Sequence, residues 1–305
     1  MRWHLKLAPL LAAATSLAAV GCGLQGRPLT TAISLVVTAQ FGSKALPPPA
    51  HPAGAEATTA LSLLEANYPV SLEGSGAVRA IGPISARGRE GWTLFIDGVA
   101  TAKNPALVAV HQGEAFWWDL HPHLPAVVKG VVGSFPQPFL SGIEGKRYPV
   151  RVECAAVTSP ACKVVLDRLE SLGVPAGLSG LSAAGETPDT LRIAVGKWEK
   201  VRQLVAAAPL EAGPGKSGVF AILSGAGRLL LALSPSGAIA RSFGPGAGLI
   251  ATVTYPTEAP LWLVTGTDEA GVLAAADHLD ESSLRDHYAV AVSPAGEVVP
   301  LPVVG

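Results

Sequence analysis

Residue types able to do chemistry crowd into one stretch of the 305-residue chain, Phe116-Trp117-Trp118-Asp119-Leu120-His121-Pro122-His123. On a β-strand successive side chains point to opposite faces, so Phe116, Trp118 and Leu120 share one face and Trp117, Asp119 and His121 share the other. With the first trio filling a core, the second turns outward. An indole then offers a flat apolar surface to a planar ligand, while a carboxylate and an imidazole orient its polar substituents. Phe95 and Trp92, on the preceding segment GWTLFIDGV, complete the candidate ligand-binding set, although Trp92, with Leu94 and Ile96, also reads as core. The competing reading packs Trp117 under a loop or against a second domain. Asp119, His121 and His123 are metal-ligand types too, but no further protein ligand at a matching position accompanies them, and no metal site is expected.

The three cysteines separate into two groups. Arg2 and Lys6, an apolar stretch Leu7–Val20 and the end Ala19-Val20-Gly21-Cys22 have the layout of a secretory signal closing on a lipobox, and they resemble the bacterial lipoprotein signal family. That resemblance implies export, a diacylglyceryl group on Cys22 and anchoring at the outer face of the cytoplasmic membrane, with Ala19 standing where leucine is usual. Cys154 and Cys162 remain as an even pair in an oxidising compartment, so a short-loop disulfide is inferred, two buried thiols being the alternative.

Composition narrows the classes of function. A formal net charge of −1 without a run of five like charges removes the electrostatic footprint of a nucleic-acid binder. Beyond the leader no 18 consecutive positions are apolar, so no spanning helix is expected in the body of the chain. There is no G-x-S-x-G elbow and no H-E-x-x-H, and the glycine-rich run at 244–248 lacks the ending of a phosphate-binding loop; no catalytic residue is assigned and an enzyme is not expected.

The 34 glycines and 26 prolines punctuate many short elements. A β-branched strand over Thr31–Thr38, a helix from Ala60 to Tyr68 capped by Thr58 or Thr59, a strand over Ala77–Ile81, a hairpin turning at Asp97-Gly98, and a second hairpin joining Leu107–Val110 to Glu114–His121 are the ingredients of a small β-grasp-like domain. A Pro- and Gly-rich connector follows at 133–149. Beyond it the sequence predicts a strand to Ala155 and a helix capped by Ser159 with Ala161, Val165, Leu169 and Leu172 inward. A strand at Leu191–Val195, a helix at Trp198–Ala207, and three hairpin strands within 219–243 come next. A strand at Leu261–Thr265, a helix capped by Asp268 and a last strand at Tyr288–Val292 complete the reading. The fold class expected is α+β, a β-grasp-like N-terminal domain followed by an α/β domain with a mixed sheet.

The segments VTAQFGSKAL, TALSLLEANY, GWTLFIDGV, HQGEAFWWDLH and VVGSFPQPF resemble the bacterial family akin to the C-terminal domain of transcobalamin and intrinsic factor, over about residues 33–139. Asp97 stands where that family commonly has asparagine. The resemblance implies a β-grasp-like extracytoplasmic ligand-binding module, a corrinoid being the best known ligand of the eukaryotic relatives. The chain is thus divided into a leader and lipobox at 1–22, a transcobalamin-like domain at 30–139 and an α/β companion at 148–305. The function expected is a lipid-anchored small-molecule binding protein that presents a corrinoid or another vitamin-like ligand to a membrane transporter. The alternative is an envelope lipoprotein that contacts proteins or polysaccharide without a small ligand.

Overall fold

The computed structural model describes residues 32–49, 57–123, 128–182, 189–254 and 259–305. The leader and Cys22, with its expected lipid, lie outside the described residues. The chain is mixed α/β, with several sheets.

The first lobe comprises β1 (Ser34–Ala39), β2 (Lys44–Ala45), α1 (Ala60–Asn67), β3 (Val70–Leu72), β4 (Val78–Ile81), β5 (Ile84–Ser85), β6 (Glu90–Ile96), β7 (Val99–Thr101) and β8 (Ala115–Pro122). Its main sheet has the order β2-β1-β8-β6-β7, with β1 and β8 parallel at the centre and β6 antiparallel to β8; β3, β4 and β5 form a separate small sheet. Thr59 caps α1 by accepting the Ser62 amide, and Ser62 returns a hydroxyl to the Thr59 N–H, a reciprocal box that starts the helix where the sequence places it. Leu63 and Leu64 of α1 pack with Leu35, Val37, Leu94, Ile96, Phe116 and Trp118 on one face of the sheet. Each fully buried aliphatic side chain there contributes about 1.5–3 kcal/mol. Leu107–Val110 is not a strand: Pro105–Leu107 is a 3-10 turn capped by Asn104, and only Ala109 makes a bridge, to Thr59.

The second lobe comprises β9 (Val150–Cys154), α2 (Pro160–Ser171), β10 (Ala176–Gly180), β11 (Leu191–Lys197), α3 (Trp198–Val201), α4 (Pro214–Ser217), β12 (Ala221–Ser224), β13 (Leu229–Leu233), β14 (Ile239–Phe243), β15 (Gly248–Val253), β16 (Leu261–Gly266), α5 (Glu269–Asp277), α6 (Glu281–Leu284), β17 (Ala289–Val292) and β18 (Val298–Leu301). Seven strands in the order β10-β9-β11-β16-β15-β17-β18 form a mixed sheet, the first four parallel and the rest antiparallel. Alternation along each strand divides its two faces. Val152, Ile193, Trp262, Val264 and Val290 face α2 and α5, whereas Ala194, Leu249, Ala251, Leu263 and Ala291 face the sheet β12-β13-β14 and α3. The helix expected over Trp198–Ala207 is only α3 followed by tight turns, and a 3-10 turn, Ala208–Ala212, comes next.

The segment 133–149 is no exposed linker. Phe135 and Phe139 pack on Trp262 of β16 with ring centroids 6.0 and 5.1 Å away, and Val131 and Val132 are wholly buried. Its apolar residues prefer that core to water. The disulfide forms as inferred, joining the end of β9 to the first turn of α2, with Cα atoms 6.1 Å apart across a separation of eight residues. Closing so short a loop restricts the unfolded chain by about 2–3 kcal/mol. Replacing Cys154 and Cys162 together by alanine is therefore expected to cost about that much in a denaturant titration; an unchanged midpoint would show that the bond is not formed in the folded protein.

Candidate functional site

The strand β8 is buried on both faces. Phe116, Trp118 and Leu120 fill the α1 side as expected, but Trp117, Asp119 and His121, expected outward, are 2%, 0% and 8% exposed. The second lobe covers them. Tyr288, one residue before β17, sets its ring edge-on to Trp117 at 5.5 Å and to Phe95 at 5.4 Å, and Phe41 stacks on His121 at 5.1 Å while meeting Phe220 of the second lobe at 5.7 Å. One apolar cluster runs without a break from Phe95 and Trp117 to Trp198 and Leu263. Of the five candidate ligand-binding residues, four thus meet at this seam. Trp92 is on the other face, half-buried, and donates its indole N–H to the Arg79 carbonyl at 3.2 Å.

Asp119 is the polar centre of the seam. Its carboxylate accepts the Thr38 hydroxyl at 2.5 Å, the Phe41 and Gly42 amides at 3.1 Å each, and the Tyr288 phenol at 2.9 Å. Thr38 stands opposite Asp119 in the β1–β8 register and itself accepts the Trp117 indole N–H at 2.7 Å. Gln40 and Phe41 both have left-handed backbone, φ 58° and 60°, which turns successive amides toward one point and makes a nest for an anion. Such conformations cost of order 1–3 kcal/mol each, offset here by charge-assisted hydrogen bonds. Burial raises the Asp119 carboxyl above its ordinary value, against the pull of the Thr38 hydroxyl, the Gly42 amide, the nearby His121 and the Tyr288 phenol. The same burial, with the Asp119 charge, pushes the Tyr288 phenol well up, so it stays protonated and donates.

Two glycines let the lobes approach. A Cβ on Gly42 would lie 1.7 Å from the Asp286 carbonyl oxygen, and one on Gly133 would lie 2.7 Å from the His287 nitrogen and 2.9 Å from the Trp117 ring. The Val132 amide donates to the Tyr288 carbonyl at 3.1 Å, a main-chain bond across the seam. His121 has no ring nitrogen to spare: Nδ1 donates to the Pro122 carbonyl at 2.8 Å and Nε2 meets the Thr93 hydroxyl at 3.0 Å. Among the described residues no group of three or more His, Cys, Asp or Glu side chains is placed to hold a metal ion. Tyr288, Thr38 and Gly42 were invisible as site residues in the sequence. The usable signal was apolar content on both faces of β8 and β6, where Phe95 pairs with Trp117.

A second polar cluster fastens the 133–149 segment to the first lobe. Gln137 donates its amide to the Gly113 carbonyl at 2.7 Å and accepts the Ser141 hydroxyl at 2.7 Å. Asp97, at the expected hairpin turn, accepts the Ala115 amide on Oδ1 at 2.9 Å, but Oδ2 has no hydrogen-bond partner among the described residues. Burial pushes its carboxyl up to about 7, and the nearby Glu114 carboxylate adds to the rise against the pull of the Ala115 amide. Glu114 is itself buried and accepts both the amide and the Nδ1 of His111, at 2.8 and 2.9 Å.

Open space lies at the edge of the seam. A cleft of about 250 Å³ is lined by Phe41 and Ser43 of the first lobe and by Arg241, His287, Glu297 and the β18 and C-terminal segments of the second. A shallower groove of about 440 Å³ runs along β7 beside Ile143 and Glu144. No family model, curated protein or solved structure matches the chain.

Two substitutions test these polar centres. Tyr288→Phe removes one hydrogen bond to a buried carboxylate and is expected to cost about 1.5–3 kcal/mol; Asp119→Asn is expected to cost more, because its amide NH₂ faces only donors. A Tyr288→Phe protein as stable as the parent would remove Asp119 from the centre of the seam. For Asp97 the folded carboxyl holds a proton that the unfolded chain releases near pH 4, so stability falls as pH rises from about 4 to 7 and the loss is complete above that window. The full effect is on the order of 4 kcal/mol. Asp97→Asn keeps the acceptor for Ala115 and removes the charge. It should match the parent near pH 4, exceed it increasingly toward pH 8, and be contradicted by parallel stability–pH curves.

Proposed function

We propose that the protein is an exported, envelope-tethered binding protein without catalytic activity, in which a β-grasp-like lobe is fused to an α/β lobe and the ligand is taken at the rim of their seam. The β-grasp reading rests on the parallel central pair β1 and β8, with α1 on one face and antiparallel β6 and β7 beyond, together with the resemblance of residues 33–139. The Cys154–Cys162 disulfide suits an oxidising compartment outside the cytoplasm, and no helix among the described residues is long and apolar enough to cross a membrane. The lipobox ending at Cys22 would supply the tether, and a tethered carrier is suited to handing its ligand to a membrane transporter.

The observation that carries the site assignment is the seal over Trp117. The hairpin face proposed to stack a planar ligand is occupied by Tyr288, so a corrinoid could reach that indole only if the lobes parted. The rim cleft is apolar, concave and made by both lobes, the kind of place where small ligands are commonly bound. A cleft of about 250 Å³ is too small to enclose a corrinoid macrocycle and suits a smaller molecule.

Expression of the full chain in a bacterial host, followed by membrane fractionation and native mass spectrometry of the released protein, tests the reading. Parent protein is expected with membranes, carrying a diacylglyceryl mass increment that Cys22→Ala lacks, and part of the population with a small-molecule adduct. Parent protein without that increment would remove the lipid tether, and an adduct-free chain from every growth condition would favour the protein-interaction alternative.

A further inference from the structure

The rim cleft has an apolar floor and walls, Phe41 below and Pro302 and its aliphatic neighbours beside, with the unpaired edge of β18 along one side. Its charged groups have an unusual arrangement. Arg241 on β14 and Glu297 just before β18 join in a parallel fork, Nη1 to Oε1 at 2.7 Å and Nη2 to Oε2 at 2.6 Å. Their side chains are 39% and 54% exposed, so water already competes for both and the mutual attraction is small. The guanidinium also lies over the Phe243 ring, 5.0 Å from its centroid. Burial pushes the His287 imidazole below its ordinary value, so it adds no charge near pH 7. Ser43 gives its proton to the Gln40 carbonyl at 2.8 Å and therefore offers only lone pairs to a ligand.

The cleft thus presents one cation and one anion, paired with each other but open to exchange with water, and a hydrocarbon surface. A ligand that complements all three carries a carboxylate, an ammonium and a small apolar body. The geometry points to an apolar α-amino acid, or a zwitterion of that class, as the ligand of this cleft. Its carboxylate would replace that of Glu297 on the Arg241 fork, its ammonium would take the released Glu297 carboxylate and the lone pairs of Ser43, and its side chain the surface of Phe41 and Pro302. A simple carboxylate would meet repulsion from Glu297, and a simple amine repulsion from Arg241. This inference rests on the binding-protein reading above and gives it a site and a ligand class.

Calorimetric titration of the full chain at low salt tests it with three probes of one shape: L-leucine, L-leucinamide (a cation) and 4-methylpentanoate (an anion). L-Leucine is expected to bind saturably and the other two at least tenfold more weakly. Arg241→Ala and the milder Glu297→Gln are each expected to weaken L-leucine at least tenfold while retaining the parent melting temperature. Equal affinity for the anion and the zwitterion, or L-leucine binding indifferent to both substitutions, would overturn the assignment. Absence of L-leucine binding while native mass spectrometry shows another adduct would overturn this inference and leave the binding-protein reading standing; absence of both would overturn both.

Discussion

A carboxylate wholly removed from water dictates the geometry of this molecule. Leaving Asp119 unpaired would cost several kcal/mol, so every lone pair must find a donor. The donors come from three places far apart in the chain: the hydroxyl of Thr38, the amides of Phe41 and Gly42, and the phenol of Tyr288. Satisfying them fixes the β1–β8 register, forces two residues after β1 into left-handed backbone, and brings residues 286–288 down onto the first lobe. Gly42 and Gly133 follow from the same demand, since a methyl at either position would separate the groups that Asp119 holds together.

Around that charge the contact is apolar, and the aromatic rings of Phe41, Phe95, Trp117 and Tyr288 meet mostly edge to face. The hydrophobic area supplies the bulk of the attraction, whereas the Asp119 network selects a single docking geometry, because any slip leaves a charge or a phenol without its partner. The 133–149 segment serves both sides at once. Phe135 and Phe139 insert into the helical side of the large sheet, while Gln137, held by Ser141, bonds the Gly113 carbonyl of the first lobe. A segment rich in proline and glycine therefore behaves as an interior strut.

Much of the fold was legible because local rules and tertiary packing agree. Thr59, Ser159 and Asp268 cap helices where their side chains and spacing predict, and period-two alternation locates most strands of both lobes. The seam was less legible for a physical reason. Alternation assigns side chains to two faces but does not say whether water lies beyond the second, and a Trp-Asp-His face reads equally as a ligand platform or as a satisfied interior. Apolar residues on both faces were the discriminating signal: Trp117 lies between Val36 and Phe95 across its neighbours, a pattern of strands covered on both sides. Tyr288 was beyond reach, because a hydrogen bond spanning 169 residues leaves no local trace. Strands β10 and β15 carry small residues that give little strand signal: β10 lies at the sheet edge with open space at Gly180, whereas at Gly248 of β15 the backbone of α5 leaves no room for a Cβ.

Welding the lobes has a consequence for recognition. Binding proteins that close two domains around a ligand gain affinity by burying it, and they need a hinge whose two states differ by little energy. Here the potential hinge is filled by a continuous core and a buried ionic network, so closure is not available as a source of affinity. On the proposed reading recognition falls to features at the rim, where the ligand stays partly in contact with water and charged groups are screened. On the proposed reading such a site favours modest affinity and rapid exchange, which suits a tethered protein that passes its ligand on more than one that stores it. Arg241 lies on β14 of the three-stranded sheet and Glu297 just before β18 of the seven-stranded one, so on that reading the specificity of the rim comes from a ligand having to separate a ready-made ion pair and satisfy both of its partners.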